Sequence, residues 1–158
     1  MIPMMLAVAL LSAPGDPGNK VAPTPNPDLM PDRVIEIQLE ALQHNDVPTR
    51  DAGIATTFGF ASPGNRKATG PLDRFAQIVK GPGYRPMIGH RIAGYGKLTV
   101  AGDTASRRVT IVADDGKAYE YEFRLSKDPE SRCWFTDGVV PIPDTGVQDK
   151  GNIALATF

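Results

Sequence analysis

The sequence predicts an α+β domain in which three N-terminal helices pack on a bent, four-stranded antiparallel sheet to give a cone-like form. Three observations carry this expectation. Apolar residues recur at helical spacing up to about residue 80 and at a period of two from residue 84 onward. Clusters of Pro, Gly, Asn and Asp separate the segments. The alternation Tyr119, Tyr121, Phe123, Leu125 against Glu120, Glu122, Arg124 describes a strand with one apolar and one wet face. Helices followed by a meander must lie on one face of that sheet.

The first helix is expected from a cap at Asp28, with Pro31 in its first turn, to Asn45. Val34, Ile35, Ile37, Leu39, Ala41 and Leu42 recur along it, with Glu36, Gln38, Glu40 and Gln43 assigned to the other side. Asn45-Asp46-Val47-Pro48 ends it. A second helix fits Asp51 to Ala61, where Ile54, Phe58 and Ala61 share a face, and Ser62-Pro63-Gly64 stops it because a residue before proline leaves the α region. The third fits Pro71 to Lys80 with Thr69 as its cap; Leu72, Phe75, Ile78 and Val79 line it, and Gly81-Pro82-Gly83 closes it.

From Tyr84 a long strand places Ile88, His90, Ile92, Gly94, Gly96, Leu98 and Val100 on its inward face, the two glycines suggesting a bend. Ala101-Gly102-Asp103 turns into a strand over Arg107 to Ala113, and Asp115-Gly116 makes a tight hairpin into the third strand. A fourth spans Arg132 to Val139 and ends at Pro141 and Pro143. The domain is thus expected over residues 31–140, with a flexible tail over 141–158.

Ahead of it lie an apolar leader over residues 1–13 and a Pro-rich linker over 14–30. Met1 to Leu11 is long enough for the apolar core of a targeting segment, too short to cross a bilayer, and without a basic flank. It is either the apolar end of such a segment or an unstructured start, and no integral membrane span is expected.

Composition narrows function. Lys and Arg number 17 against 18 Asp and Glu, for a formal charge of −1. Nothing there draws the chain to a polyanion, so nucleic acid is not an expected partner. The lone Cys133 allows no intrachain disulfide or Cys-rich zinc site, and His44 and His90 make no metal cluster by themselves. No metal and no cofactor are expected.

Several segments, taken in order, carry a resemblance. They are Val34 to Asp46, Asp51-Ala52-Gly53-Ile54, Phe60-Ala61-Ser62-Pro63-Gly64-Asn65-Arg66, Thr69-Gly70-Pro71, Phe75, Tyr84-Arg85-Pro86, Gly89-His90 and Cys133-Trp134-Phe135-Thr136-Asp137-Gly138-Val139. Together, over residues 33–140, they resemble an uncharacterised family of plant, algal and bacterial proteins catalogued as a domain of unknown function. That family is similar to the nuclear-transport-factor-2-like superfamily, whose α+β cone also serves ketosteroid isomerase-type and polyketide cyclase-type enzymes. The resemblance implies a fold more firmly than a function. It also implies plastid targeting or export, in keeping with the apolar leader; without such targeting the chain would be cytoplasmic.

His90, counted by twos between Ile88 and Ile92, is expected to face the cone interior, where an imidazole can exchange protons near neutral pH. The alternative is a structural histidine bonded to the backbone. Asp137, close after Trp134, is its candidate acid–base partner at the cone mouth, set against a turn role for Asp137-Gly138. Tyr121 and Trp134 are candidate pocket walls as well as core aromatics, and Cys133 is expected to be a buried, inert thiol. Arg66 and Lys67, before the expected third helix, are candidate anion ligands, set against a solvated loop that fixes the angle between helices.

Three functions follow from these residues. The first is a non-catalytic binding or accessory module with an interior pocket for a small apolar ligand or a protein partner. The second is an isomerase- or cyclase-like enzyme working through His90. The third is a homodimer formed through the sheet.

Overall fold

The computed structural model describes residues 21–143, so the leader over residues 1–13, the first part of the linker (residues 14–20) and nearly all of the tail (residues 144–158) lie outside the described residues. The described chain forms α1 (Pro31–Gln43), α2 (Ala52–Gly59), α3 (Pro63–Thr69), α4 (Leu72–Lys80), a 3₁₀ turn at Arg85–Met87, and strands β1 (Ile92–Ala101), β2 (Thr104–Val112), β3 (Ala118–Lys127) and β4 (Trp134–Ile142). The strands pair in the order β1-β2-β3-β4, all antiparallel. Four helices, not three, thus precede the sheet.

The extra helix arises where a loop was expected. Pro63 does end α2, because it holds Ser62 in an extended conformation. The same proline then occupies the first turn of a new helix, and the Ser62 hydroxyl accepts from Asn65 N at 3.2 Å as its cap. A stop signal and a start signal overlap in two residues. Thr69 consequently ends α3, its hydroxyl donating to Asn65 O at 2.9 Å, and Pro71 rather than Thr69 caps α4.

The start of α1 also differs from expectation. Met30, not Asp28, is the residue before its first turn, while the Asp28 amide donates to Asn26 Oδ1. Gln38, assigned by pattern to the wet side, is 1% exposed. Asn45, just past α1, sets up α2: its carbonyl accepts from Gly53 N at 2.9 Å and its side-chain oxygen from Ile54 N at 3.0 Å. The two helices cross so closely that a Cβ on Gly53 would lie 2.0 Å from Ala41 O. Only glycine fits there.

Two bulges set which side chains face the helices. In β4 the register shifts so that Thr136 opposes Leu125 and Gly138 opposes Arg124. Asp137 is therefore an extra residue, and Trp134, Thr136 and Val139 all turn inward. In β1 the shift falls between Tyr95 and Leu98. Ala93 and Tyr95 pair with Ile111 and Val109 on the inward face before it, while Leu98 and Val100 pair with Arg107 and Ala105 after it. The expected inward set was thus right for Leu98 and Val100 and inverted for Ile92 and Gly94. Gly96 sits in the bulge, where a Cβ would press to 3.0 Å on Arg108 O.

The core fills the space between helices and sheet with Val34, Ile35, Leu39 and Leu42 of α1, Ile54 and Phe60, Val109 and Ile111 of β2, and Tyr121, Phe123 and Leu125 of β3. Full burial of one such side chain contributes roughly 1.5–3 kcal/mol. Strand β4 runs on through Pro141 to Ile142. It lies at the edge of the sheet, where proline is tolerated.

Candidate functional site

Between the helices and the inward face of β3 and β4 lies a cavity of about 80 Å³, partly open to solvent. Leu42, Phe75, Val79, Met87 and Phe123 form its apolar wall, and Gln38, Thr57 and Thr136 bring polar groups. No residue lining it carries a formal charge. Asn65, Thr69, Ile78, Tyr84 and Val139 also line it and keep partial exposure, so they mark its open side. Its volume is well below the roughly 300–1,000 Å³ of drug-sized sites. It suits a short group, or the end of a longer molecule reaching in through the mouth.

The polar floor is built from three elements. Gln38 Nε2 donates to Val34 O at 3.1 Å within α1 and to Thr136 Oγ1 of β4 at 2.8 Å. Thr136 is further clamped by the segment between α2 and α3. Its amide donates to Phe60 O at 2.8 Å, and its carbonyl accepts from Ser62 N at 2.9 Å and from Asn65 Nδ2 at 3.0 Å. Ala61 and Thr136 thereby form an isolated parallel bridge. The Phe60–Arg66 and Cys133–Val139 segments, separate in sequence, are one joint in space.

Arg66 completes that joint. Its guanidinium donates to Ala61 O at 3.0 Å and Gly59 O at 2.6 Å, and stacks 5.2 Å over the Phe58 ring. These are carbonyls at the C-terminal end of α2, where a cation and its N–H donors satisfy groups the helix leaves open. Lys67 is exposed on α3, and neither base lines the cavity.

His90 is not on β1. It precedes the strand, after Gly89 at φ +66°, and lies 4% exposed. Its Nδ1 sits 2.8 Å from Met87 O; a carbonyl can only accept, so Nδ1 carries the proton. Burial pushes the imidazole below its ordinary pKa, an effect that the Met87 bond opposes and nearby His44 reinforces. His90 does not line the cavity. Asp137 lies at the opposite edge of the sheet, exposed in the β4 bulge, where it accepts from Ser126 Oγ at 2.9 Å on the outer face. The structure keeps these two residues apart.

Tyr121 is fully buried beside the cavity rather than in its wall. Its hydroxyl donates to Gly83 O at 3.0 Å, its ring stacks on Tyr84, and burial pushes its pKa up to about 12. Tyr84, which does line the cavity, is tied to the sheet by donating to Val139 O at 2.9 Å. Trp134 is a core anchor with Lys127 Nζ 6.0 Å over its ring, and Cys133 is a buried free thiol. Among the described residues no group of three His, Cys, Asp or Glu side chains could hold a metal ion, and no helix is long and apolar enough to cross a membrane.

Sequence reasoning missed Gln38 and Thr136. The signals were present: Gln38 lies one helical turn from both Val34 and Leu42, and Thr136 shares the period-two face of Trp134.

Fold and cavity together define a class: an α+β domain whose helices and one-sided antiparallel sheet enclose an uncharged cavity. Residues 28–148 match the family described as domain of unknown function (DUF4864), and the chain belongs to that family. Neither a search of curated proteins nor one of solved structures finds a match to the chain.

Proposed function

We propose that the chain is a non-catalytic binding or accessory module, whose interior cavity takes a small, largely apolar ligand or the end of one. One observation carries this reading: the candidate acid–base groups do not converge. Proton transfer requires the acid or base within hydrogen-bond reach of the reacting atom. His90 has its protonated nitrogen committed to Met87 O and lies outside the cavity wall, and Asp137 is on the other face of the sheet. The cavity wall itself offers amide, hydroxyl and apolar groups, which recognise rather than react. A resemblance to the nuclear-transport-factor-2-like cone is in keeping with such a role, since that architecture hosts binding modules as well as enzymes.

A thermal-shift screen of the full chain against small neutral compounds tests the reading. Ligands that bind the folded state raise the melting temperature by mass action. Hits should disappear in Val139→Phe, which fills the cavity, and persist in His90→Gln. Hits that survive the filled cavity, or that require His90, would reject it.

A further inference from the structure

We infer that the ligand enters the cavity with a neutral head group that both donates and accepts a hydrogen bond, a hydroxyl or a primary amide, placed against Gln38 and Thr136. The inference rests on the cavity being the binding site. The orientation of the Gln38 amide is fixed by its surroundings: Val34 O can only accept, so the atom 3.1 Å from it is Nε2. The same Nε2 donates to Thr136 Oγ1 at 2.8 Å. Both amide protons are thereby used, and among the described residues no donor reaches Oε1.

Gln38 and Thr136 are 1% and 2% exposed, yet no fully buried side-chain nitrogen or oxygen among the described residues lacks a partner. Gln38 Oε1 therefore keeps contact with open space, and the open space against which Gln38 lies is the cavity. Thr136 Oγ1 accepts from Gln38 and still has its own proton to place, for which the described residues provide no acceptor. An open acceptor and an open donor, on side chains held by the α1–β4 contact, thus adjoin one small apolar space.

A hydroxyl satisfies both: its proton goes to Gln38 Oε1, and its oxygen receives the Thr136 proton. A primary amide does the same with its N–H and its carbonyl. A carboxylate only accepts, faces the Gln38 oxygen, and finds no cation in the wall. An alkane or alkyl fluoride leaves the donor and the acceptor without adequate partners.

The test is an NMR titration of the full chain with 1-hexanol, 1-fluorohexane and hexanoate, following the methyl signals of Ile78, Met87 and Val139. 1-Hexanol should bind at least about tenfold more tightly than 1-fluorohexane, the scale of one unmet buried hydrogen bond, and hexanoate should not bind. Thr136→Val should remove most of that preference and Thr136→Ser should retain it. The wild-type comparison stands whether or not a variant folds. Equal affinity for the alcohol and the fluoride, or a preference unchanged in Thr136→Val, would overturn the head-group assignment while leaving the cavity as the binding site. If none of the three compounds moves the cavity methyls, the cavity reading itself fails and the head-group assignment falls with it.

Discussion

Gln38 of α1 donates through Nε2 to Thr136 Oγ1 of β4 across 2.8 Å, joining the first helix to the last strand over 98 positions. The same threonine holds the Phe60–Ser62 backbone through both its amide and its carbonyl. One residue thereby anchors the helical layer to the edge of the sheet and forms part of the cavity floor.

Thr136→Val keeps shape and removes the hydroxyl, leaving Gln38 Nε2 with Val34 O alone. A buried donor that loses one of two partners costs about 1 kcal/mol. Urea unfolding should show that loss as a lower midpoint with an unchanged slope, since the backbone clamp on Phe60 and Ser62 remains.

Gly53→Ala should be among the most destabilising single substitutions in the domain. The new Cβ would meet Ala41 O at 2.0 Å, against backbone that cannot rotate away, so α1 and α2 must separate. A loss of roughly 3 kcal/mol is expected, whereas Gly59→Ala, with nothing near its Cβ position, should be far milder. Comparing the two melting temperatures checks the crossing geometry.

Arg66→Ala should destabilise by about 1–2 kcal/mol, because the carbonyls of Gly59, the last residue of α2, and of Ala61 just beyond it lose charge-assisted donors. Arg66→Lys should rescue little, since an ammonium cannot reproduce the fork and the stacking on Phe58. Phosphate titration provides the contrast. Phosphate protection that disappears with Arg66→Ala would return this residue to an anion-binding role.

His90 makes stability depend on pH. Burial holds its folded pKa below the ordinary 6.5, so below 6.5 the unfolded chain takes up more protons than the folded one. Its contribution is fully present above 6.5 and is lost as pH falls through the window down to the lowered value. The Asp51 and Asp128 carboxyls, held below their ordinary 3.8 by Lys80 and Ser131 respectively, add acid sensitivity only at lower pH. Melting temperatures from pH 7.5 to 5 should fall in the wild type and flatten in His90→Gln. An equal fall in both would show that His90 is not the source.

Much of the architecture was legible in the sequence because it rests on local rules. The apolar face of β3 at Tyr121, Phe123 and Leu125 and the glycine turns at Gly102 and Gly116 follow from period and from positive φ. The parts that were not legible depend on partners distant in the chain. The β1 bulge inverts the inward set between Tyr95 and Leu98, and it is defined by β2, not by β1 itself. Ser62-Pro63 carries both a stop and a start, and the start is reinforced by the anchoring of Ser62 and Asn65 to the distant Thr136. His90 misled because Gly89 breaks the alternation just before it, which moves the imidazole out of the strand and onto Met87 O. Gln38 and Thr136 went unnoticed because each is an ordinary polar residue until the other is placed opposite it.

The proposed ligand site is the cavity beneath β3 and β4. Intermolecular NOEs from 1-hexanol to the methyl-labelled full chain test it most directly. Binding as described gives NOEs to Ile78, Met87 and Val139, three cavity-wall residues, and none to Val100, half exposed on β1. NOEs confined to Val100 and Leu98, or contacts unchanged in Val139→Phe, would contradict it.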